Sequence, residues 1–237
     1  MENNFIISID TDWVSDTILE DTLQLLDDYQ VEATLFMTNK TNVDIKGHEI
    51  ALHPNYTSVD FEKHFCERLN EFPEAKGVRS HSLFFTERLR AIYHKYNIEY
   101  QSNQMMYREP GIKPFMISPT VVEIPIFFMD TFNYIMNGKA NAFEDADILN
   151  SSGLKVFDFH PIHLYLNTSS LEHYDEYKQY YHDDKRLLDF KNSTKPGIRD
   201  WFTSLLQFIK NEKKQTGKMI GISDNYRKNY NEGINNR

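Results

Sequence analysis

Short apolar runs alternate along this chain with stretches whose apolar residues recur at helical spacing. The first run, residues 5–9, is continuous and ends in two carboxylates, Asp10 and Asp12. A run of that kind predicts a strand buried on both faces. In residues 15–29, Ile18, Leu19, Thr22, Leu23, Leu25 and Leu26 fall on one side and acids on the other, which predicts a helix capped by Ser15 or Asp16. Further strands are predicted at 32–38, 47–53, 76–83, 98–105, 121–128, 154–160 and 218–223. Helices are predicted at 59–72 and 86–96, and from Pro196 through Trp201, Leu205, Leu206 and Phe208. Strands alternating with helices imply an α/β fold with a parallel sheet of about seven or eight strands, open or closed into a barrel. Residues 164–195 are polar and rich in Tyr and Asp, and are expected to form an excursion above the sheet, a substrate-facing lid.

Nothing in the 237 residues reads as a linker, a low-complexity tract or a fixed repeat, so one domain spanning 1–237 is expected. A net charge of −9 argues against a nucleic-acid binder. The single cysteine, Cys66, rules out an intrachain disulfide and fits a reducing compartment. No charged-then-apolar leader is visible behind the acidic Glu2, and no run approaches the roughly 18–20 apolar residues of a membrane span. A cytoplasmic location is therefore expected, and the oligomeric state is left open.

Four of the predicted strands end in groups suited to metal or acid–base work. The first ends in Asp10 and Asp12, the third in His53 followed by Pro54 and Asn55. The fourth carries Arg79, Ser80 and His81, and the seventh runs into His160, Pro161 and His163. Each has a bland reading alone: Asp12 as a helix cap, a lone His as a hydrogen-bonded rim residue, Arg79 as an ion-pair partner. A barrel gathers such ends at one mouth, so residues remote in sequence can surround one ion. One Asp with two His suits a divalent transition metal with an open position, Zn²⁺ foremost. Water bound there becomes a nucleophile near neutral pH, a remaining carboxylate takes its proton, and a remaining His protonates the leaving group. His48, on the opposite strand face from His53, is set aside, and His64, His94, His173 and His182 are expected to be solvated.

The motifs resemble those of the polysaccharide deacetylase superfamily (NodB-type, carbohydrate esterase family 4), in its divergent bacterial surface-polysaccharide branch. Ile9-Asp10-Thr11-Asp12 resembles the first motif, and Ala33-Thr34-Leu35-Phe36 the strand that follows it. Gly47-His48-Glu49-Ile50-Ala51-Leu52-His53 resembles the second motif, Gly77-Val78-Arg79 the third, and Phe159-His160-Pro161 the last. Val122-Glu123-Ile124-Pro125-Ile126 is similar to a strand of some branches. The resemblance implies a distorted (β/α) barrel of seven or eight parallel strands and metal-dependent removal of acetyl groups from a sugar or sugar precursor, here a nucleotide- or lipid-linked one. It implies Asp10 as general base held by Arg79, Asp12 and His53 as metal ligands, and His160 as general acid. The second motif departs from the family: Thr57 stands where another His belongs. The third ligand must come from elsewhere. His81, two residues after Arg79 and on the same face of the predicted strand, is the first candidate. His163 and Asn55 are alternative ligands or substrate contacts. Two rival readings are a cyclic-amide or other C–N hydrolase on the same scaffold, and a non-catalytic barrel that binds glycan or protein.

Overall fold

The computed structural model describes residues 4–45, 47–137 and 146–235. Its strands are β1 (Asn4–Asp10), β2 (Ala33–Met37), β3 (Glu49–Leu52), β4 (Gly77–Val78), β5 (Tyr100–Gln101), β6 (Phe115–Met116), β7 (Val122–Glu123), β8 (Phe128–Met129), β9 (Lys155–Phe159) and β10 (Gln215–Gly217). They form one sheet in the order β6-β7-β5-β4-β3-β2-β1-β9-β8, with β10 beside the start of β1. Every pairing is parallel except β6 with β7. Residues 122–129 pair with β5 through their first half and with β9 through their second. Between the halves, Ile126 N donates to Gln104 O (2.8 Å) and Phe127 N to Val156 O (2.9 Å). This one segment therefore carries the sheet round on itself, and the result is the expected distorted (β/α) barrel.

The long apolar runs behave as their patterns require. β1, β2 and β9 are buried throughout apart from Asn4, because helices cover the sheet's outer face. The helix Asp16–Tyr29 buries Ile18, Leu19, Leu23 and Leu26 in the same apolar core as β1, and its first turn is capped by the Ser15 hydroxyl. The helices Phe61–Glu71 and Glu87–Lys95 cover β3 to β5, and Ile198–Asn211 packs Trp201, Phe202 and Leu206 onto β9. Pro196 lies two residues ahead of that last helix, whose Asp200 carboxylate accepts from Gly197 N (3.0 Å). Among the described residues, no helix is long and apolar enough to cross a membrane.

Three expectations are corrected. Residues 218–223 are not a strand; β10 ends at Gly217 and a helix, Met219–Asn235, begins. Met219 and Ser223 are buried one turn apart, and the helix's first N–H groups are received by Thr34 Oγ1 (3.0 Å) and Glu49 Oε2 (3.0 Å). The run predicted at 98–105 is broken, because the Glu123 carboxylate accepts from Asn103 N (2.8 Å) and Gln104 N (2.9 Å) in place of a backbone partner. The run predicted at 76–83 is a strand only over Gly77–Val78; His81–Leu83 is a 3₁₀ turn. Gly77 has a packing reason to be glycine: a Cβ there would lie 1.9 Å from the Tyr100 ring. The 164–195 excursion consists of short helices, among them Leu171–Tyr177 and Asp184–Leu187, joined by 3₁₀ turns.

Candidate active site at the carboxyl rim

The carboxyl ends of β1, β3, β4, β8 and β9 deliver Asp10, His53, Arg79, Asp130 and His160 to one rim, and the turns that follow β1 and β4 add Asp12 and His81. After β1 the chain reverses through Asp12 and Trp13, both in the left-handed region (φ 43° and 58°). Trp13 N donates to Thr38 Oγ1 (2.8 Å) and Val14 N to Thr11 O (3.1 Å), which holds the strained turn. His81 reaches the rim by a different route from the one its sequence position indicates. Arg79 and His81 do not share a strand face; Arg79 turns into the barrel, while His81 N donates to Pro54 O (3.0 Å) and its ring leans over the mouth.

Three donor atoms converge. His53 Nε2 lies 3.2 Å and His81 Nδ1 3.3 Å from Asp12 Oδ1. Asp12 Oδ1 is buried and has no hydrogen-bond partner among the described residues. Burial opposes its ionisation, yet His160, His53 and His81 hold this carboxyl well below the usual range, so it is an anion. Tetrahedral Zn²⁺ with bonds of about 2.0–2.1 Å separates neighbouring ligand atoms by about 3.3 Å. The spacing of Asp12, His53 and His81 fits such an ion, and an orphaned carboxylate oxygen between two imidazoles is the feature a cation would satisfy.

Below this triad sits a charge cage. The Arg79 side chain is fully buried and donates to Asp10 Oδ1 (2.8 Å), Ser8 Oγ (3.0 Å), Ser102 O (3.0 Å), Ser102 Oγ (2.9 Å) and Asp158. Its guanidinium also stacks over Phe36, 4.1 Å from the ring centroid. Burial works against ionised Asp10, but Arg79, with His53 and His160, keeps its carboxyl below the usual range. Asp158 shares the same guanidinium, and there burial prevails and pushes the carboxyl up to about 8. One cation is thus shared by two buried carboxylates, and of the two Asp10 is the more acidic. Asp10 Oδ2, the oxygen away from Arg79, lies 3.7 Å from His53 Nε2.

On the other side of Asp12, His160 presents Nε2 3.5 Å from Asp12 Oδ2. Its Nδ1 is 2.7 Å from Asp130 Oδ1, and its backbone N donates to Asp130 Oδ2 (2.8 Å). Burial disfavours a charged imidazole, but Asp130 and Asp12 outweigh it and raise His160 well above its ordinary value. A cavity of about 200 Å³ opens onto Asp10, Asp12, His53, His81, Met129 and His160.

The alternative ligands do not reach this cavity. His163 is buried with both ring nitrogens engaged, Nε2 by Tyr134 Oη (2.7 Å) and Nδ1 by Tyr177 Oη (2.8 Å) and Thr168 Oγ1 (3.0 Å). Asn55 is outside the lining, and its carbonyl accepts from Thr57 N (3.1 Å). His48 is a buried acceptor for Ala33 N (3.1 Å). His94 is exposed, His64 is half-buried against Ser58, and His173 is tied to the Phe190 carbonyl (2.6 Å). Asp130, Asp158, Ser8 and Ser102 were not among the residues singled out from sequence. Asp130 carried the same signal as the others, an acid directly after an apolar strand.

The model of one protein family, WbmS-like polysaccharide deacetylase, matches residues 7–178. A solved structure from Bordetella bronchiseptica, assigned as a polysaccharide deacetylase involved in O-antigen biosynthesis, is similar with a TM-score of 0.78 and 26% identity, covering 86% of this chain and 90% of that one. A structure from Mycobacterium smegmatis, assigned as a polysaccharide deacetylase, is similar at a TM-score of 0.57 and 13% identity, over 97% and 91% of the two chains. A mutant of a Bacillus anthracis CE4-family pseudoenzyme with restored enzymatic activity follows at 0.50 and 13%, over 94% and 68%. The last two likenesses concern the fold alone. No curated protein matches the chain.

Proposed function

Since the chain belongs to the WbmS-like polysaccharide deacetylase family, we propose that it is a metal-dependent hydrolase that removes an acetyl group from a sugar of a surface-polysaccharide precursor. The convergence of Asp12 Oδ1, His53 Nε2 and His81 Nδ1 between an Arg79-held carboxylate and an Asp130-held imidazole carries this reading. The part that the Bordetella protein takes in O-antigen biosynthesis supports the substrate class.

Asp12, His53 and His81 would hold one divalent transition ion, Zn²⁺ by the chemistry of the set, which would polarise the acetyl carbonyl and lower the pKa of water. Asp10 would act as general base: Arg79 holds one of its oxygens, and the other is left to receive the proton of the attacking water. The water oxygen adds to the acetyl carbon. The bond from that carbon to the sugar's nitrogen or oxygen then breaks, and its electron pair takes a proton from His160 Nε2. Acetate and a free amine or alcohol result. Asp130 holds the imidazole by Nδ1, so that Nε2 faces the cavity carrying the proton it must give. Arg79 has its donors directed to Asp10, Asp158 and two serines, and so positions the base without touching the substrate.

His81 answers the departure at Thr57: a residue from the turn after β4 offers a ligand atom where the second motif lacks one. A cytoplasmic location belongs to this reading and is supported by the single, unpaired Cys66. The test is acetate release from a panel of N- and O-acetylated saccharides by protein reconstituted with Zn²⁺, with loss on chelation and recovery on adding the ion back. Opening of a cyclic amide without acetate release would move the chemistry to another C–N bond. Stoichiometric metal with no turnover of any member would leave only a binding barrel.

A further inference from the structure

The helix Pro161–Leu166 has six residues, too few to persist without tertiary contacts, and all of it is buried. His160, the proposed acid, precedes its first turn, and His163 is its third residue. Two rungs join it to the helix Asp130–Asn137, which leaves β8 directly. The first is Asp130 Oδ1 on His160 Nδ1 (2.7 Å). The second, one turn further along both segments, is Tyr134 Oη at 2.7 Å from His163 Nε2. The Tyr134 ring also stands edge-on to His163, centroids 5.0 Å apart. On the far side of the imidazole, Nδ1 meets Tyr177 Oη (2.8 Å) and Thr168 Oγ1 (3.0 Å), which lie 2.6 Å from each other. Burial pushes this imidazole down to about 4, so at neutral pH it has one N–H and one bare nitrogen. Hydroxyls both donate and accept, and three of them satisfy it completely. His163 lines neither the metal triad nor the cavity. A leucine would bury as much apolar surface there without the cost of a polar ring, so what the imidazole adds is direction.

We infer that His163 is a positioning residue for the proton donor: through Tyr134 it fixes the angle between the two helices and so holds Asp130 against His160 Nδ1. The inference rests on the reading of His160 as the acid of a deacetylase. One rung alone would let the helix Asp130–Asn137 pivot about Asp130, and the carboxylate would swing with it. A second rung one turn away removes that freedom. Misplacement by about 1 Å at a reacting group can cost a rate factor of about 100, so a hydroxyl that never meets the substrate can still govern the step. Tyr177 and Thr168 brace the ring from the start of the 164–195 excursion, and both meet the same nitrogen, so losing either one leaves the other in place.

The test has two readouts on the Zn²⁺-loaded full chain. The first is proton NMR of the His160 Nδ1–H, which a close carboxylate shifts downfield and protects from exchange, and which is identified by its absence in His160→Ala. The second is kcat and KM for acetate release from an acetylated saccharide that the parent chain turns over. Tyr134→Phe deletes one oxygen and keeps the ring's packing; His163→Leu deletes both polar contacts. Both should lose the protected proton and lower kcat by about 10–100-fold with KM within about twofold. His163→Gln, whose amide stands where Nε2 does, should restore the proton and most of kcat. Tyr177→Phe, which leaves Thr168 on Nδ1, should keep both. A parent chain without the protected proton, a proton unmoved in both Tyr134→Phe and His163→Leu, or a loss carried by KM alone overturns the inference. So does equal loss in all four variants, since that reports general loosening. The proton is read without turnover, which keeps the two readings apart. The expected proton pattern with no acetate from any saccharide removes the deacetylase and leaves the rung; acetate release with the proton unmoved removes the rung and leaves the deacetylase.

Discussion

Asp130→Asn isolates the electrostatic support of the proposed general acid. Asp130 accepts from His160 through both oxygens, Oδ1 at Nδ1 (2.7 Å) and Oδ2 at the backbone N (2.8 Å). Asparagine has one acceptor oxygen. If that oxygen keeps the backbone N–H, its amide donors face Nδ1, and a protonated Nδ1 is then opposed rather than held. A hydrogen bond to a charged group contributes about 1.5–3 kcal/mol. At about 1.36 kcal/mol per unit, losing it lowers the His160 pKa by about one to two units. Asp130 keeps the imidazole protonated to higher pH than usual, so the acid form should survive further up the scale in the parent chain than in the variant. The assay is kcat/KM for acetate release across pH. The alkaline limb should move down by about one to two units. Above both midpoints the variant should be slower by about 10–150-fold, and the profiles should converge at low pH. An unmoved alkaline limb, or a uniform loss at every pH with the melting temperature intact, would refute the assignment of His160 as the acid supported by Asp130.

Three further outcomes are expected. His81→Ala should lose stoichiometric metal by elemental analysis while His160→Ala keeps it; retention of metal by His81→Ala would return the third ligand to another residue. Arg79→Met strands Asp10 and Asp158 without their shared cation and should cost about 3–5 kcal/mol by urea denaturation, a loss under about 1 kcal/mol counting against the cage. Burial holds the His163 imidazole down to about 4 in the folded chain, whereas the unfolded value is near 6.5. This neutral histidine therefore costs nothing above about pH 6.5, and stability drains as pH falls toward 4, by about 2–3 kcal/mol at pH 4.5. Urea unfolding at pH 7 and 4.5 should show a smaller acid loss in His163→Gln by that amount, and equal losses in both chains would contradict it.

What the sequence made legible follows what each run is doing physically. β2, β3 and β9 lie inside the predicted boundaries and β1 exceeds its apolar run by one residue at each end, because β1, β2 and β9 are buried between the barrel interior and the outer helices and their apolar signal is nearly continuous. Met219-Ile220-Gly221-Ile222 carries the same signal for a different reason: it is a helix whose apolar side closes the foot of the barrel, and a run that short satisfies both periods. What decided it was Thr34 and Glu49, side chains from two other strands that receive the helix's free N–H groups. Such long-range capping leaves no local trace. The same holds for Glu123, whose carboxylate replaces ladder partners and breaks the strand predicted at 98–105.

At the rim, residues at strand ends were visible and their supports were not, although the supports left a mark. Ser8 and Asp158 each interrupt an apolar run one or two residues before its functional end, and both are fully buried. A polar group inside a doubly buried strand is costly unless another group meets it, so each interruption foretells a partner at the same depth. β1 and β9 are adjacent, with Ser8 paired in register to Asp158, and Ser8 Oγ donates to Asp158 Oδ1 (2.8 Å). A buried pair of that kind still leaves one carboxylate without a cation, and Arg79 is the residue that enters from β4 to complete it. The base, the cage and the strand register are therefore one constraint. Shifting β9 by a single residue would turn Asp158 to the helix side and leave Arg79 with Asp10 alone.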